Sequence, residues 1–454
     1  MSDCFTELRA ARLRGEARGL YSVCSSNPFV LEAAARRSAA TGESILVEAT
    51  ANQVNQDGGY TGLSPADFAA RLGALRTRCG ADKDHIVFGG DHLGPYPWRR
   101  LGAEEAMARA ETLVSLFVAA GARKIHLDAS MVLGGDFEAG LAGPLGFALH
   151  PCVAAERSAR LCAAAEAAFH ELREREPSAV APVYVIGTEV PVPGGVRIEE
   201  NAPASSVDEG VCPTNPEDFR SAVELHRRFF DERGLSVAWG RVLAVVVQPG
   251  VEFDANTIHR YDRKRAAALV AARADYPWLL FEGHSTDFQP DDALAALVED
   301  GVCVLKVGPA LTFALREALF GLDAIAGELG VRRDPGLAET AARVMRDDPE
   351  YWRGYYAPDS SLAFSLKYAY SDRIRYYWNK PAVLAALENL FASLRGRELP
   401  RQLLSQYLPR LGSVHGDGSS IRGPEELALA AVNAELGRYA AACHSAPAAI
   451  ENSP

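Results

Sequence analysis

Eight short, mostly apolar segments recur between residues 19 and 308, and this repetition constrains the fold more than any other feature of the sequence. Each segment is followed by a turn and then by an alanine-rich amphipathic stretch. The eight segments are Gly19–Cys24, Ser44–Thr50, His85–Asp91, Lys124–Ser130, Val183–Glu189, Leu243–Gln248, Trp278–His284 and Cys303–Gly308. Apolar strands that alternate with helices predict a parallel sheet whose faces are covered by helices.

Such a sheet either closes into a barrel or stays open with a doubly wound topology. Nearly every segment ends in polar residues, whereas an open sheet concentrates its functional residues at one switch point. We therefore predict an α/β fold, a (β/α)8 TIM barrel, over residues 1–320. The alternation is lost afterwards, so residues 321–445 are predicted to form an all-helical C-terminal extension, and residues 446–454 a tail. The extension would pack on the barrel or on a second subunit of a homo-oligomer.

Composition excludes several classes of partner. The 454 residues carry a net charge of −12, which disfavours nucleic acid and anionic membrane surfaces. No apolar run is long enough to span a bilayer, and the first residues lack a signal-peptide pattern. The eight cysteines are scattered without a Cys-x-x-Cys pair, so neither a disulfide framework nor a thiolate zinc site is predicted. These features favour a cytoplasmic protein.

Acids and imidazoles stand at the ends of the predicted strands, and on a barrel these ends meet at one mouth. The candidate proton-transfer groups are Asp91, Asp128 and Glu282. The candidate metal ligands are His92, Glu189, Gln248 and His284, which come from four different strands. Imidazole with carboxylate or amide oxygen suits zinc, with manganese as the second choice. His126 is predicted either to join these ligands or only to orient a neighbouring carboxylate, and any one of these groups could instead satisfy a buried polar partner.

Further polar residues are candidates for binding substrate. Those expected to hold hydroxyl groups are Glu48, Asn52, Gln53, Gln56 and Ser130. Lys306 and Gly308 end the eighth strand and precede a helix, whose first backbone N–H groups can bind a phosphate. A turn can also require glycine for its backbone conformation alone. No Gly-x-Gly-x-x-Gly follows a strand, so a nicotinamide cofactor is not indicated.

Long motifs add a family resemblance that runs from about Gly19 to about Pro409. They are Val47–Gln56, Gly58–Gly62, Gly89–Pro95, Lys124–Met131, Tyr184–Gly195, Val245–Asp254, Glu282–Asp287, Leu305–Ala318, Ser371–Trp378 and Ser405–Pro409. Together these motifs resemble the accessory-subunit family of class II D-tagatose-1,6-bisphosphate aldolase. That family is similar in turn to the class II aldolases, which are zinc-dependent (β/α)8 barrels.

By this resemblance Asp91 would be the acid/base, His92 a metal ligand and His284 a second ligand. Gln248 stands where the aldolases use a histidine, so the metal site would differ from theirs. Members of the family are described either as non-catalytic subunits that stabilise an aldolase, or as C4-epimerases of ketohexoses or their 6-phosphates. Polar groups at so many strand ends cost desolvation free energy, which a purely stabilising subunit has no need to incur. An isomerase is therefore favoured.

The expected reaction interconverts D-tagatose and D-fructose, or their 6-phosphates, by retro-aldol cleavage of the C3–C4 bond. The aldehyde fragment would turn over and add again from its other face, with Asp91 and Asp128 moving protons at the C4 oxygen and Glu282 in reserve. Two alternatives stay open. One is a non-catalytic stabilising subunit of class II tagatose-1,6-bisphosphate aldolase in galactitol, tagatose or N-acetylgalactosamine catabolism. The other is an aldolase that releases triose products.

Overall fold

Eight parallel strands close into a barrel in the computed structural model, which describes residues 3–142, 149–187, 211–411 and 423–444. The strands are β1 (Leu20–Val23), β2 (Ile45–Thr50), β3 (Ile86–Leu93), β4 (Lys124–Leu127), β5 (Val183–Ile186), β6 (Val242–Val247), β9 (Leu280–Gly283) and β10 (Val302–Val307), with a separate antiparallel hairpin of β7 (Glu252–Phe253) and β8 (Ile258–His259). Each barrel strand pairs with the next along the chain, and β1 pairs with β10 to close the ring. The predicted TIM barrel is confirmed.

Helices surround the barrel and continue beyond it. Up to the last strand they are α1 (Cys4–Leu13), α2 (Pro28–Thr41), α3 (Pro65–Cys79), α4 (Ala103–Ala119), α5 (Pro151–Arg175), α6 (Pro216–Glu232), α7 (Ser236–Trp239), α8 (Arg263–Ala272) and α9 (Asp291–Glu299). After it come α10 (Pro309–Glu328), α11 (Leu337–Asp347), α12 (Leu362–Tyr368), α13 (Pro381–Leu394), α14 (Arg401–Tyr407) and α15 (Pro424–Cys443). Within the described residues, none of these helices combines the length and apolarity that a membrane crossing requires.

The barrel interior is apolar at one end and charged at the other. At the amino ends of the strands, Phe5 and Leu8 of α1 pack against a buried cluster that includes Leu20, Leu46 and Val87. From the middle of the barrel toward the carboxyl ends, the interior instead holds buried charged groups: Glu48, Asp91, Lys124, Glu282 and Lys306. Burying charge is costly unless each group is paired, so this end of the barrel must be built around ion pairs.

The helical segment after the barrel folds back onto it. The last helix, α15, packs against α2, α9 and α10. The Tyr439 hydroxyl donates a hydrogen bond to the carbonyl of Thr286 (2.8 Å), and the Gly19 N–H donates to the carbonyl of Cys443 (2.9 Å). A 3₁₀ helix, Arg373–Tyr376, reaches the mouth of the barrel. The predicted boundary at residue 320 lies inside α10.

Candidate active site

A cavity of about 90 Å³ opens at the carboxyl ends of the strands. Its wall gathers residues that are far apart in the sequence: Asp91 and His92 at the end of β3, His284 after β9, and Lys306 within β10. The residues that line it also include Cys24, Thr50, Asn52, Gln53, Tyr60, Ser285, Asp287, Gly308, Arg375 and Tyr376. The predicted convergence of polar strand ends therefore produces a real cavity. We name it the catalytic cavity.

Three imidazoles and two carboxylates form a compact cluster at this cavity. The ring centroids of His92, His126 and His284 lie 4.7–5.2 Å from one another. The His126 Nδ1 is 2.9 Å from an Asp91 oxygen, and the His284 Nε2 is 3.1 Å from a Glu282 oxygen. One donor atom from each of Asp91, His126, Glu282 and His284 lies within 4.8 Å of the others.

This cluster fits a divalent metal ion. The Nε2 atom of His126 is buried and has no hydrogen-bond partner among the described residues, although an unsatisfied buried polar atom is costly. Nitrogen and carboxylate donors at such separations are those that zinc and similar ions take. The buried His/Asp/Glu cluster can therefore hold a metal.

His92 is held in place by a carboxylate. Its Nδ1 lies 2.8 Å from an Asp128 oxygen, which leaves the Nε2 side of the ring directed toward Asp91, 3.8 Å away. Histidine ligands are commonly oriented by such a carboxylate on the other ring nitrogen. The backbone of His92 has a φ of 46°, a conformation that a residue with a β-carbon adopts at a cost and that often accompanies function.

The protonation states of the cluster follow from its charges. Burial raises the pKa of Asp91, but the positive charge of Lys306 and the neighbouring imidazoles outweigh it and hold that pKa well below the usual range. Burial lowers the pKa of His284 to about 4, despite the opposing carboxylates of Asp91 and Glu282. At neutral pH Asp91 is therefore ionised and His284 is neutral, the form in which imidazole binds a metal.

Glu48 was predicted to bind substrate hydroxyls, but it is fully buried and does not line the catalytic cavity among the described residues. It accepts a hydrogen bond from the Ser22 hydroxyl (2.6 Å) and forms ion pairs with Lys124 (2.8 Å) and Lys306. Lys124 also pairs with Glu282 at 2.8 Å, and Lys306 with Asp91 at 3.1 Å. The structure thus gives Glu48 the role of a counter-ion in a buried charge network.

Two predicted groups lie beside the cavity rather than in its wall. Asp128 accepts hydrogen bonds from the Ser130 hydroxyl (2.8 Å) and from the Ser130 N–H (3.2 Å), in addition to its contact with His92. Both residues are buried, and neither lines the catalytic cavity. The position of Asp128 therefore suits orienting His92 better than direct proton transfer.

The remaining predicted site residues lie in different places, some in the cavity wall and some away from it. Asn52 and Gln53 line the cavity, and the Gln53 side-chain oxygen accepts from the Thr50 N–H at 2.9 Å. Gln56 lies elsewhere, because its side chain donates to the carbonyl of Arg109 in α4. The Gln248 side-chain oxygen accepts from the N–H groups of Gly250 and Val251, both at 2.9 Å, so it stabilises a turn. Glu189 lies outside the described residues.

The predicted phosphate site at the start of α10 is already filled by a protein carboxylate. The N–H groups of Gly308 and Ala310 both donate to one oxygen of Asp287, at 3.0 and 2.7 Å. Burial raises the pKa of Asp287 to about 6, although these hydrogen bonds favour its charged form. An anion at this helix terminus would have to displace Asp287.

Arg375 and Tyr376, which line the cavity, come from the C-terminal extension and were not predicted as site residues. The motif Ser371–Trp378 belonged to the family resemblance, and this was the only signal for them in the sequence. His126, for which the sequence allows two roles, lies inside the cluster that could hold a metal. Tyr60 and Cys24 also line the cavity without having been predicted.

A parallel barrel that gathers acids and imidazoles at the carboxyl ends of its strands defines an α/β-barrel enzyme centre. The chain belongs to the family of D-tagatose-1,6-bisphosphate aldolase subunit GatZ/KbaZ-like proteins, which matches residues 5–444. This confirms the family that the motifs predicted.

Two relatives are similar over nearly the whole chain. D-tagatose 6-phosphate 4-epimerase of Agrobacterium fabrum is 46% identical over 444 residues, which cover 97% of this chain and 99% of that protein. The crystal structure of a probable tagatose 6 phosphate kinase from Sinorhizobium meliloti 1021 is 43% identical, with a TM-score of 0.82, and the match covers 94% of this chain and 100% of that one. The epimerase relative confirms the prediction of an enzyme of the isomerase class.

Proposed function

We propose that this chain is a metal-dependent epimerase that inverts C4 of a ketohexose 6-phosphate and so interconverts the D-tagatose and D-fructose forms. The observation that carries the proposal is the convergence of ionised Asp91, Lys306 and two imidazoles on one cavity, with the buried ring of His126 packed behind them. The full-length similarity to a D-tagatose 6-phosphate 4-epimerase supports the choice of reaction and substrate. All eight cysteines are free, which agrees with a reducing cytoplasm.

Inversion at C4 requires bond cleavage, because C4 is not adjacent to the C2 carbonyl and its hydrogen is not acidic. Asp91 takes the proton of the C4 hydroxyl, C4 becomes an aldehyde carbon, and the electron pair of the C3–C4 bond moves to the C1–C3 fragment. The aldehyde then rotates so that its opposite face is directed at the C1–C3 fragment. The C3–C4 bond forms again, and Asp91 returns the proton to the C4 oxygen. Lys306, 3.1 Å from Asp91, keeps the carboxylate ionised before the first step, so that it can accept the proton.

The metal would be held by His126, Glu282 and His284 of the described cluster, with His92, the ligand that the sequence predicts, beside them. When bound, the ion supplies Lewis-acid stabilisation of the negative charge that develops on the substrate oxygens. Zinc is the first choice for these donors and manganese the second. Glu189 stays a candidate ligand as the sequence predicted. For Gln248 the role would require breaking its two backbone hydrogen bonds.

A second candidate function is that of a stabilising subunit for a class II aldolase, since the family is described as an aldolase subunit. A kinase, which the name of the Sinorhizobium meliloti relative suggests, has less support. The chain contains no Gly-x-x-x-x-Gly-Lys sequence, the common loop for nucleotide phosphates.

One assay separates these functions. Purified protein of known metal content is incubated with D-tagatose 6-phosphate, D-fructose 6-phosphate and the two free sugars, and products are followed by carbon NMR. We expect interconversion of the 6-phosphates without release of triose. Accumulating triose would assign an aldolase instead, and inert protein that raises the thermal stability of an aldolase partner would assign the stabilising subunit.

Metal content tests the ligand assignment. We expect His92→Ala and His284→Ala to lose most of the bound zinc and, with it, turnover, because each removes an imidazole donor. His170→Ala, an exposed histidine of α5, is the matched control and should retain both. The measurement is metal stoichiometry by mass spectrometry after dialysis. Unchanged zinc content in His92→Ala would exclude His92 as a metal ligand. His126, with its unpartnered Nε2, would then be the second imidazole ligand beside His284.

A further inference from the structure

Arg375 lies at the junction of two cavities. It lines the catalytic cavity and also a neighbouring cavity of about 250 Å³ between α2, α10 and the C-terminal extension. The two cavities share five residues in all: Cys24, Gln53, Tyr60, Gly308 and Arg375. A substrate whose reacting carbons lie beside Asp91 can therefore extend a further group past Arg375 into the second space.

The guanidinium of Arg375 is held in place by groups of its own segment. It donates to the carbonyls of Ser371 and Asp372 (3.1 Å for the latter) and to the Tyr376 hydroxyl (3.2 Å). Within the described chain it forms no direct ion pair, although the carboxylates of Asp372 and Asp287 interact with its charge at longer range. Lys306 is different, because Glu48 and Asp91 both pair with it. Arg375 is thus the better-placed cation for an anionic group of a ligand.

The usual alternative for a sugar phosphate on this fold is the helix N-terminus after the last strand. Here Asp287 already accepts from the N–H groups of Gly308 and Ala310, and a phosphate would meet its carboxylate. Repulsion between the two anions would oppose binding there. The phosphate must therefore be bound by another group of the cavity wall.

We infer that Arg375 binds the 6-phosphate of the substrate and makes the enzyme selective for phosphorylated ketohexoses, an inference that rests on the proposed function. The planar guanidinium offers a fork of N–H donors that matches phosphate oxygens. Because three of its contacts are to the extension itself, the donors are oriented before the ligand arrives, which reduces the entropy cost of binding. The C-terminal extension thereby completes the active site.

Steady-state kinetics of Arg375→Gln test this inference on both classes of substrate. We expect kcat/KM for D-tagatose 6-phosphate to fall by about 10- to 100-fold, the usual effect of losing hydrogen bonds to a charged group. The value for free D-tagatose should fall far less, so the ratio of the two kcat/KM values should drop, and a thermal unfolding temperature close to that of the wild type without ligand shows that the variant is folded. Arg375→Lys should recover part of the loss. Arg353→Gln, an exposed arginine of the same extension, is the matched control.

A binding measurement keeps the test independent of turnover. Inorganic phosphate should raise the thermal unfolding temperature of the wild type and have a smaller effect on Arg375→Gln. Equal losses on the phosphorylated and free sugars, or a phosphate effect abolished by Arg71→Gln in the neighbouring cavity instead, would overturn the inference. If the wild type turns over neither sugar, the proposed function fails, and the phosphate titration alone still decides the role of Arg375.

Discussion

Replacing Asp91 with asparagine is expected to lower kcat for the 6-phosphate by about 10²- to 10⁴-fold, the range that general acid–base groups contribute. The amide keeps the size of the carboxylate but cannot accept the C4 hydroxyl proton. In the structure Asp91 is the acid that both lines the catalytic cavity and contacts Lys306, His126 and the His92 N–H. We therefore expect the substitution to lower turnover much more than it lowers the stability of the fold.

The same variant separates proton transfer from metal binding. Asp91 belongs to the group of four potential donors, but His126, Glu282 and His284 remain after its replacement, with His92 beside them. We expect zinc stoichiometry close to that of the wild type, together with the loss of turnover measured by carbon NMR. Asp292→Asn, whose side chain is exposed on α9, is the matched control and should change neither quantity. A fully active Asp91→Asn enzyme would refute the assigned role, and loss of zinc would make Asp91 a ligand.

The barrel itself could be predicted because its cause is local. Apolar strands and amphipathic helices alternate along the sequence, and the polar residues that end each strand mark the same edge of the sheet. Asp91 and His92 could be identified in the same way, since they are neighbours at the end of one strand. The three-dimensional arrangement then brings His284 to them, as that prediction required.

Depth within the barrel could not be predicted in this way. Strand alternation shows which residues point inward but not how far each side chain lies below the mouth. Glu48 was expected to hold substrate hydroxyls, yet it lies in the buried ion-pair network because Lys124 and Lys306 reach it. Gly89, between Glu48 and Lys124 in strand register, has no side chain; a β-carbon there would lie 3.1 Å from Glu48. The space that Gly89 leaves for the Glu48 side chain can be recognised only once the strands are paired.

Long-range and turn-specific contacts also make the observed site differ from the predicted one. Gln56 and Gln248 follow strands as binding residues do, but each makes hydrogen bonds to nearby backbone groups instead. Arg375 lies far from the barrel strands in sequence, and only the return of the extension to the mouth brings it into the cavity. Such a contact depends on tertiary structure and cannot be predicted from each strand taken separately.

The buried charge network below the cavity gives the largest expected effect on stability. Lys124 is fully buried and lies 2.8 Å from both Glu48 and Glu282. Lys124→Met keeps most of the side-chain volume but leaves two carboxylates without this counter-ion. Breaking a buried pair in this way typically costs about 3–5 kcal/mol. We expect the free energy of unfolding, measured by urea titration, to fall by that amount.

Two further variants show whether the loss comes from unpaired charge. Lys264→Met removes an exposed lysine of α8 and should leave the unfolding free energy nearly unchanged. Adding Glu48→Gln to Lys124→Met removes one of the stranded carboxylates, so the double variant should lose less than the sum of the two single losses. Strict additivity, or a Lys124→Met protein as stable as Lys264→Met, would show that Lys124 contributes packing alone. Because Glu48 also binds Lys306, and Lys306 contacts Asp91, the network would position the proton-transfer group as well as stabilise the barrel.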